Sequence, residues 1–165
     1  MYKRILVPTD GSAVAEHVVP AAIELARAVG AEMVALSVAV PEPAFQSIEG
    51  AMVVDPGRQG EVLLEHARTL AAAIATRARE AGVKCNPVAT LSFDPAVTIV
   101  DTAREQGCDL ILMGSHGRRG LSLLLAGSVT QAVMASAAVP VMVLRPTADA
   151  GAQGLARPSP ADSTV

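Results

Sequence analysis

The residue types best suited to chemistry fall in one stretch. Gly114-Ser115-His116-Gly117 follows the apolar run Asp109-Leu110-Ile111-Leu112-Met113, and Gly127-Ser128-Val129-Thr130 opens the next periodic segment. Glycines let main chain come close to a ligand. Free N–H groups at a helix start, together with the Ser128 and Thr130 hydroxyls, form a donor set for phosphate oxygens, and the helix dipole favours the negative charge. The pattern is G-x2-G-x9-G-[ST], and its place after a buried strand strengthens it against the plainer reading of glycines as turn formers. Two other nucleotide signatures fail. G-x4-G-K-[ST] needs a lysine that Lys3 and Lys84 cannot supply, and the first strand leads into Pro8-Thr9-Asp10-Gly11-Ser12, which has one glycine where a dinucleotide loop has three.

Other polar residues carry less. Arg118 and Arg119 can clamp a terminal phosphate or stand as solvated charges, and His116 can touch a phosphate or point to water. His17 and His66 sit in helical segments without partners, and three scattered histidines make no metal site. Ser128 has no His-plus-acid arrangement to activate it, and residues 110–148 contain no Asp or Glu to act as general base. No catalytic residue is named. Asp10, before Gly11 at the end of the first strand, reads as a ligand contact or as a turn-forming Asp before Gly.

Five strands must position this loop. Arg4 to Val7 is apolar after its first residue and ends at Pro8. Ser12 caps a helix with Val14, Val18, Ala22, Leu25 and Val29 on one face, which Pro20 should kink and Gly30 should end. Glu32 to Val40 is the second strand, and Pro41 to Gly60 reads as a long connection. A helix of roughly 20 residues follows, with Leu63, Ala67, Leu70, Ile74, Ala78 and Ala81 on one face and Gly82 at its end. Val83 to Ser92 is the third strand, at an edge because of Pro87. Asp94-Pro95 opens a helix running to about Gln106, Asp109 to Met113 is the fourth strand, Ser128 to Ala137 a short helix with Val129, Ala132, Val133 and Ser136 on one side, and Val141 to Leu144 the fifth strand. Strand–helix alternation of this kind implies a doubly wound α/β fold with a parallel sheet, helices on both faces, and a ligand at the carboxyl ends of the strands.

Composition sets the outer bounds. With 165 residues, 51% hydrophobic, 18% charged and 2% aromatic, the chain suits one aliphatic-cored domain, and from Thr147 its Ala, Gly, Pro, Ser and Asp content predicts a disordered tail over 147–165. A net charge of −3 and scarce aromatics argue against nucleic acid, and no apolar run approaches a membrane span. The short apolar stretch after Met1 is no signal peptide, so a cytoplasmic location is expected. Cys85 and Cys108 read as reduced structural thiols.

Tyr2-Lys3-Arg4-Ile5-Leu6-Val7-Pro8-Thr9-Asp10-Gly11-Ser12, with Gly114-Ser115-His116-Gly117 and Gly127-Ser128-Val129-Thr130, resembles the universal stress proteins, specifically their ATP-binding branch, over residues 2–146. The resemblance implies a 1–146 domain of the adenine nucleotide alpha hydrolase type, a five-stranded parallel sheet in the order 3-2-1-4-5. It implies that Pro8, Thr9, Asp10, Val38, Met113 and Gly114 surround adenine and ribose, that Gly117, Gly127, Ser128, Val129 and Thr130 take the phosphates of ATP, and that Mg2+ lies beside them with Asp10 near it. It further implies a homodimer through Val139 to Arg145 and a nucleotide-dependent regulatory role in stress response toward an unknown protein client, with a slow Mg-dependent ATPase or phosphotransferase as the alternative. Two departures stand out: Ser92-Phe93-Asp94-Pro95 replaces a Gly-x-Pro type turn, and a Pro-rich segment follows Val40.

Overall fold

A computed structural model describes residues 1–41, 56–114 and 128–145. Within them nine elements alternate: β1 (Arg4–Thr9), α1 (Ala13–Val29), β2 (Glu32–Ala39), α2 (Pro56–Glu80), β3 (Cys85–Leu91), α3 (Pro95–Glu105), β4 (Leu110–Gly114), α4 (Ser128–Ser136) and β5 (Val141–Leu144). The strands form one parallel sheet in the order β3-β2-β1-β4-β5, as expected. Parallel neighbours require crossovers, and the helices supply them on both faces. Ile5, Val7, Met33, Ala35, Leu110 and Leu112 pack with Val18, Val19 and Ala22 of α1 and Ala71, Ile74 and Ala78 of α2. Leu6, Val34, Leu36, Ile111 and Met113 pack on the other side with Ala96, Ile99 and Ala103 of α3 and Val133 of α4. Period-two alternation along β1, β2 and β4 thus feeds two cores, which is why these strands read as largely apolar runs.

Helix ends follow their local chemistry. Ser12 Oγ accepts the Ala15 N–H at 3.2 Å and Asp94 Oδ1 accepts the Val97 N–H at 3.1 Å, capping α1 and α3. Gly30 closes α1 at φ 68°, a left-handed conformation that costs a residue with a Cβ. α1 continues through Pro20, which lies on its exposed face.

Several boundaries differ from expectation. β1 does not stop at Pro8 but runs through it to Thr9, paired with β2 as far as Thr9↔Ser37. The reason lies in strand parity. The Lys3 carbonyl accepts from Glu32 N–H and the Arg4 carbonyl from Asp109 N–H, so odd residues of β1 face β2 and even ones face β4. Pro8, lacking an N–H, therefore faces β4, where the β1–β4 register ends at Leu6↔Ile111. Pro87 obeys the same rule. Lys84 and Ser92 bond to β2, so Pro87 turns its missing donor to the open edge of β3.

α2 begins at Pro56, so residues 56–60 belong to a 25-residue helix and not to the connection. β3 is shorter than Val83 to Ser92, and Asp109 precedes β4 instead of opening it, its carboxylate accepting the N–H groups of Lys3 at 2.8 Å and Arg4 at 3.0 Å. α4 buries Thr130 and Val133, whereas Ala132 and Ser136 are exposed. Thr130 turns inward because its hydroxyl is bonded there.

Candidate functional site

In a doubly wound sheet the crevice opens where neighbouring crossovers diverge, here between β1 and β4. Pairing between these strands has lapsed by Pro8, which leaves a gap at their carboxyl ends. A cavity of ≈ 340 Å³ occupies this position. Pro8, Thr9, Asp10, Val38, Met113, Gly114, Ser128, Val129 and Thr130, all expected from the sequence, line it together. Gly117 and Gly127 lie outside the described residues, as do Ser115, His116, Arg118 and Arg119. Ser12, Val14, Ala15, Leu36, Val40, Pro95 and Ile99 also line it. Of these, Ser12, Val40 and Pro95 fall on the strand ends that topology marks. Leu36, Val14, Ala15 and Ile99 carry no separate signal, since apolar periodicity marks a cavity wall and a core position alike.

One wall is apolar: Leu36 and Val38 from β2 and Val40 just beyond its end, with Pro95 and Ile99 from α3. The opposite end is polar, made by the first turn of α4. That turn presents the Ser128 and Val129 amides, which no residue four positions earlier within the helix can satisfy. Flat apolar walls with donors at one end suit a planar ring attached to an anionic tail.

The β1–α1 turn is tied down by its own side chains. Thr9 Oγ1 accepts the Gly11 N–H at 3.1 Å, Asp10 Oδ1 accepts the Ser12 N–H at 2.9 Å, and Ser12 caps α1. Gly11 adopts φ 75°, and a Cβ there would lie 3.0 Å from Leu70 Cδ2. Asp10 is thus a turn former through one carboxylate oxygen, while its exposed carboxylate carries the one formal charge among the described residues lining the cavity.

Gly114 and Thr130 have packing roles the sequence did not separate from ligand contact. A Cβ on Gly114 would lie 2.7 Å from Val14 Cγ1 and 2.9 Å from the Val14 carbonyl oxygen, so this glycine admits α1 against β4. The Thr130 hydroxyl, nearly buried, donates to the Gly114 carbonyl at 3.2 Å. It fastens α4 to the end of β4, and its proton is already committed.

At the other end of the sheet, charged groups are tied to one another. A second cavity of ≈ 380 Å³ at the amino ends of the strands is walled by Arg4, Glu32 and Lys84. Glu32 bridges Arg4 and Lys84 at 2.9 Å each, and hydrogen bonds from Lys84 and Arg4 hold its carboxyl below the usual carboxylate range. Burial pushes the Cys85 thiol up and the Cys108 thiol to about 11, so both resist ionisation. His17 and His66 are exposed on α1 and α2. Among the described residues no three His, Cys, Asp or Glu side chains are grouped to hold a metal, and no helix is long and apolar enough to cross a membrane.

Comparison with known proteins agrees with this architecture. The model of the universal stress protein family matches residues 1–145. A universal stress protein of Methanocaldococcus jannaschii, MJ0531, is 35% identical over 147 residues, covering 88% of this chain and 83% of its own. The solved structure of MJ0577, from the same organism, superposes with a TM-score of 0.74 at 30% identity, covering 90% of this chain and 99% of its own. A universal stress protein of Archaeoglobus fulgidus solved in complex with dAMP shares the fold, with a TM-score of 0.63 at 24% identity over 86% of this chain and 97% of its own. With its strand order, switch-point cavity and family match over residues 1–145, the chain belongs to the universal stress protein family.

Proposed function

We propose that this chain binds an adenine nucleotide, ATP accompanied by Mg2+, in the cavity between β1 and β4, and that it acts as a nucleotide-dependent regulatory module toward a protein client in the cytoplasm. The observation that carries this reading is the convergence on one cavity of Pro8, Thr9, Asp10 and Val38 with Met113, Gly114, Ser128, Val129 and Thr130, from four separate elements. The apolar slot between β2 and α3 accepts the purine, and the first-turn amides of α4 accept phosphate oxygens. The relative solved with dAMP supports an adenylate as the ligand class. Thr130 enters this reading as the residue that fixes the α4 amides, with Ser128 and Val129 facing the phosphates. Gly117 and Gly127 are assigned to the phosphates on the sequence motif.

Asp10 supplies one carboxylate, which suits Mg2+ only when nucleotide phosphates complete its coordination, the usual arrangement for this cation. When bound, the ion would neutralise phosphate charge. The chain's own residues hold the base, orient the α4 amides and keep Asp10 at the rim.

The assembly proposed is a homodimer through Val139 to Arg145. Ile111 N–H bonds to the Pro140 carbonyl, so Val141 and Val143 direct their backbone groups to the open edge of β5. Proline blunts the β3 edge and is absent within β5, which makes β5 the edge suited to pairing with a second copy.

The deciding experiment is calorimetric titration with ATP, ADP, AMP and cyclic AMP, with and without Mg2+, alongside thermal unfolding and phosphate release. ATP at a hundred times its Kd should stabilise the protein by about 2.7 kcal/mol, with negligible turnover. Millimolar or weaker affinity for every adenylate would overturn the assignment.

A further inference from the structure

Phe93 is the one exposed aromatic side chain among the described residues, at 74% relative exposure; it does not line the cavity itself but stands on the turn two residues before Pro95, which does. The turn is built by its neighbours. Ser92 N–H donates to the Ala39 carbonyl at 2.9 Å, Asp94 N–H donates to Ser92 Oγ at 3.1 Å, and Asp94 caps α3. These bonds hold the turn against the end of β2, between Val38 and Val40 on one side and Pro95 on the other, all three of which line the cavity. A bulky ring exposed on a rigid turn forfeits the free energy its burial would release. Val40 and Leu91, at 45% and 41% exposure, extend the apolar rim at the same end of the sheet.

We infer that Phe93 is a base-contacting residue of this site, one that adds affinity: its ring stacks on the nucleotide base and closes the outer side of the slot whose inner walls are Val38 and Ile99. The inference rests on the cavity being an adenine-nucleotide site. It goes further in giving this chain an aromatic base contact at a turn position where the Gly-x-Pro type has no ring. Stacking on an aromatic side chain is tolerant of what lies beyond the sugar, so its contribution is the same for nucleotides differing only in phosphate number.

The chain contains no tryptophan, so Phe93→Trp places a single indole at the proposed contact. Saturating AMP or ATP should quench that indole with the Kd measured by calorimetry. Phe93→Ala should weaken AMP, ADP and ATP by one common factor, roughly 5- to 150-fold, and Phe93→Tyr should retain most of the affinity. Because the side chain is exposed, all three variants should melt with the wild type in the absence of ligand. An unquenched indole at saturation, unchanged affinity in Phe93→Ala, or a change confined to oligomeric state would overturn the inference while leaving nucleotide binding intact. Failure of the wild type to bind any adenylate would instead remove the site reading on which it rests.

Discussion

Replacing Gly114 by alanine tests how closely the site depends on the contact between α1 and β4. The added methyl carbon would meet Val14 Cγ1 at 2.7 Å, the Val14 carbonyl oxygen at 2.9 Å and Val18 Cγ2 at 3.2 Å. Ordinary contact begins near 3.4 Å, so the helix must retreat by several tenths of an ångström. The Val14 side chain can rotate, but its carbonyl belongs to the α1 backbone and can move only with the helix. Overpacking of this kind costs about 1–3 kcal/mol. For a domain of this size that corresponds to a fall in Tm of roughly 2–12 °C. Urea unfolding should show a lowered midpoint with an unchanged m-value. Adding Val14→Ala should restore only part of the loss, since it removes the Cγ1 contact and leaves the carbonyl. Since Val14, Ala15 and Gly114 all line the cavity, adenylate affinity should fall with stability. Unaltered stability in Gly114→Ala, or complete rescue by Val14→Ala, would refute this account of the glycine.

Three further outcomes are expected. Thr130→Val, which keeps the shape and removes the hydroxyl bonded to the Gly114 carbonyl, should cost about 1 kcal/mol in chemical unfolding, and Thr130→Ser should restore most of it. Partial burial raises the Asp109 pKa, but the N–H groups of Arg4 and Lys3 outweigh it and leave the carboxyl below its usual value. Its stabilising contribution is therefore complete above the unfolded-state value of about 3.9 and is lost as pH falls through the lower folded value, so Asp109→Asn should flatten the decline of Tm below about pH 4. Iodoacetamide at pH 8 should leave Cys108 unmodified and label Cys85 slowly in the folded protein, both reacting fully in denaturant, as mass spectrometry of the intact chain can follow.

Much of the architecture was legible because β1, β2 and β4 are largely apolar runs and several turns carry local chemistry. Ser12, Gly30, Asp94 and Pro95 do what residues of their type do at helix ends, so α1 and α3 could be placed closely. Two of the misplaced boundaries share one cause. Pro8 and the stretch from Pro56 to Gly60 look like breaks by propensity, and tertiary context overrides propensity wherever the missing donor or the flexible backbone meets no penalty. At the site, the loop glycines and helix start advertise an anion, so Gly114 and Ser128 could be singled out. That Gly114 accommodates α1 and Thr130 is bonded inward depends on contacts between residues far apart in sequence, which no local pattern encodes. The α4 face was misjudged for the same reason, because a polar Thr130 occupies a position that periodicity assigns to solvent.

The alternation that aims Pro8 at the crevice makes its position a matter of odd and even numbering. Exchanging Val7 and Pro8 would leave composition and hydropathy intact, yet the imino acid would then remove a donor from the seam with β2, tearing the centre of the sheet instead of sparing the opening beside β4. A one-residue deletion between Arg4 and Pro8 would have the same effect. The opening therefore depends on a count of residues, and a genetic lesion too small to alter any bulk property of the chain could erase it.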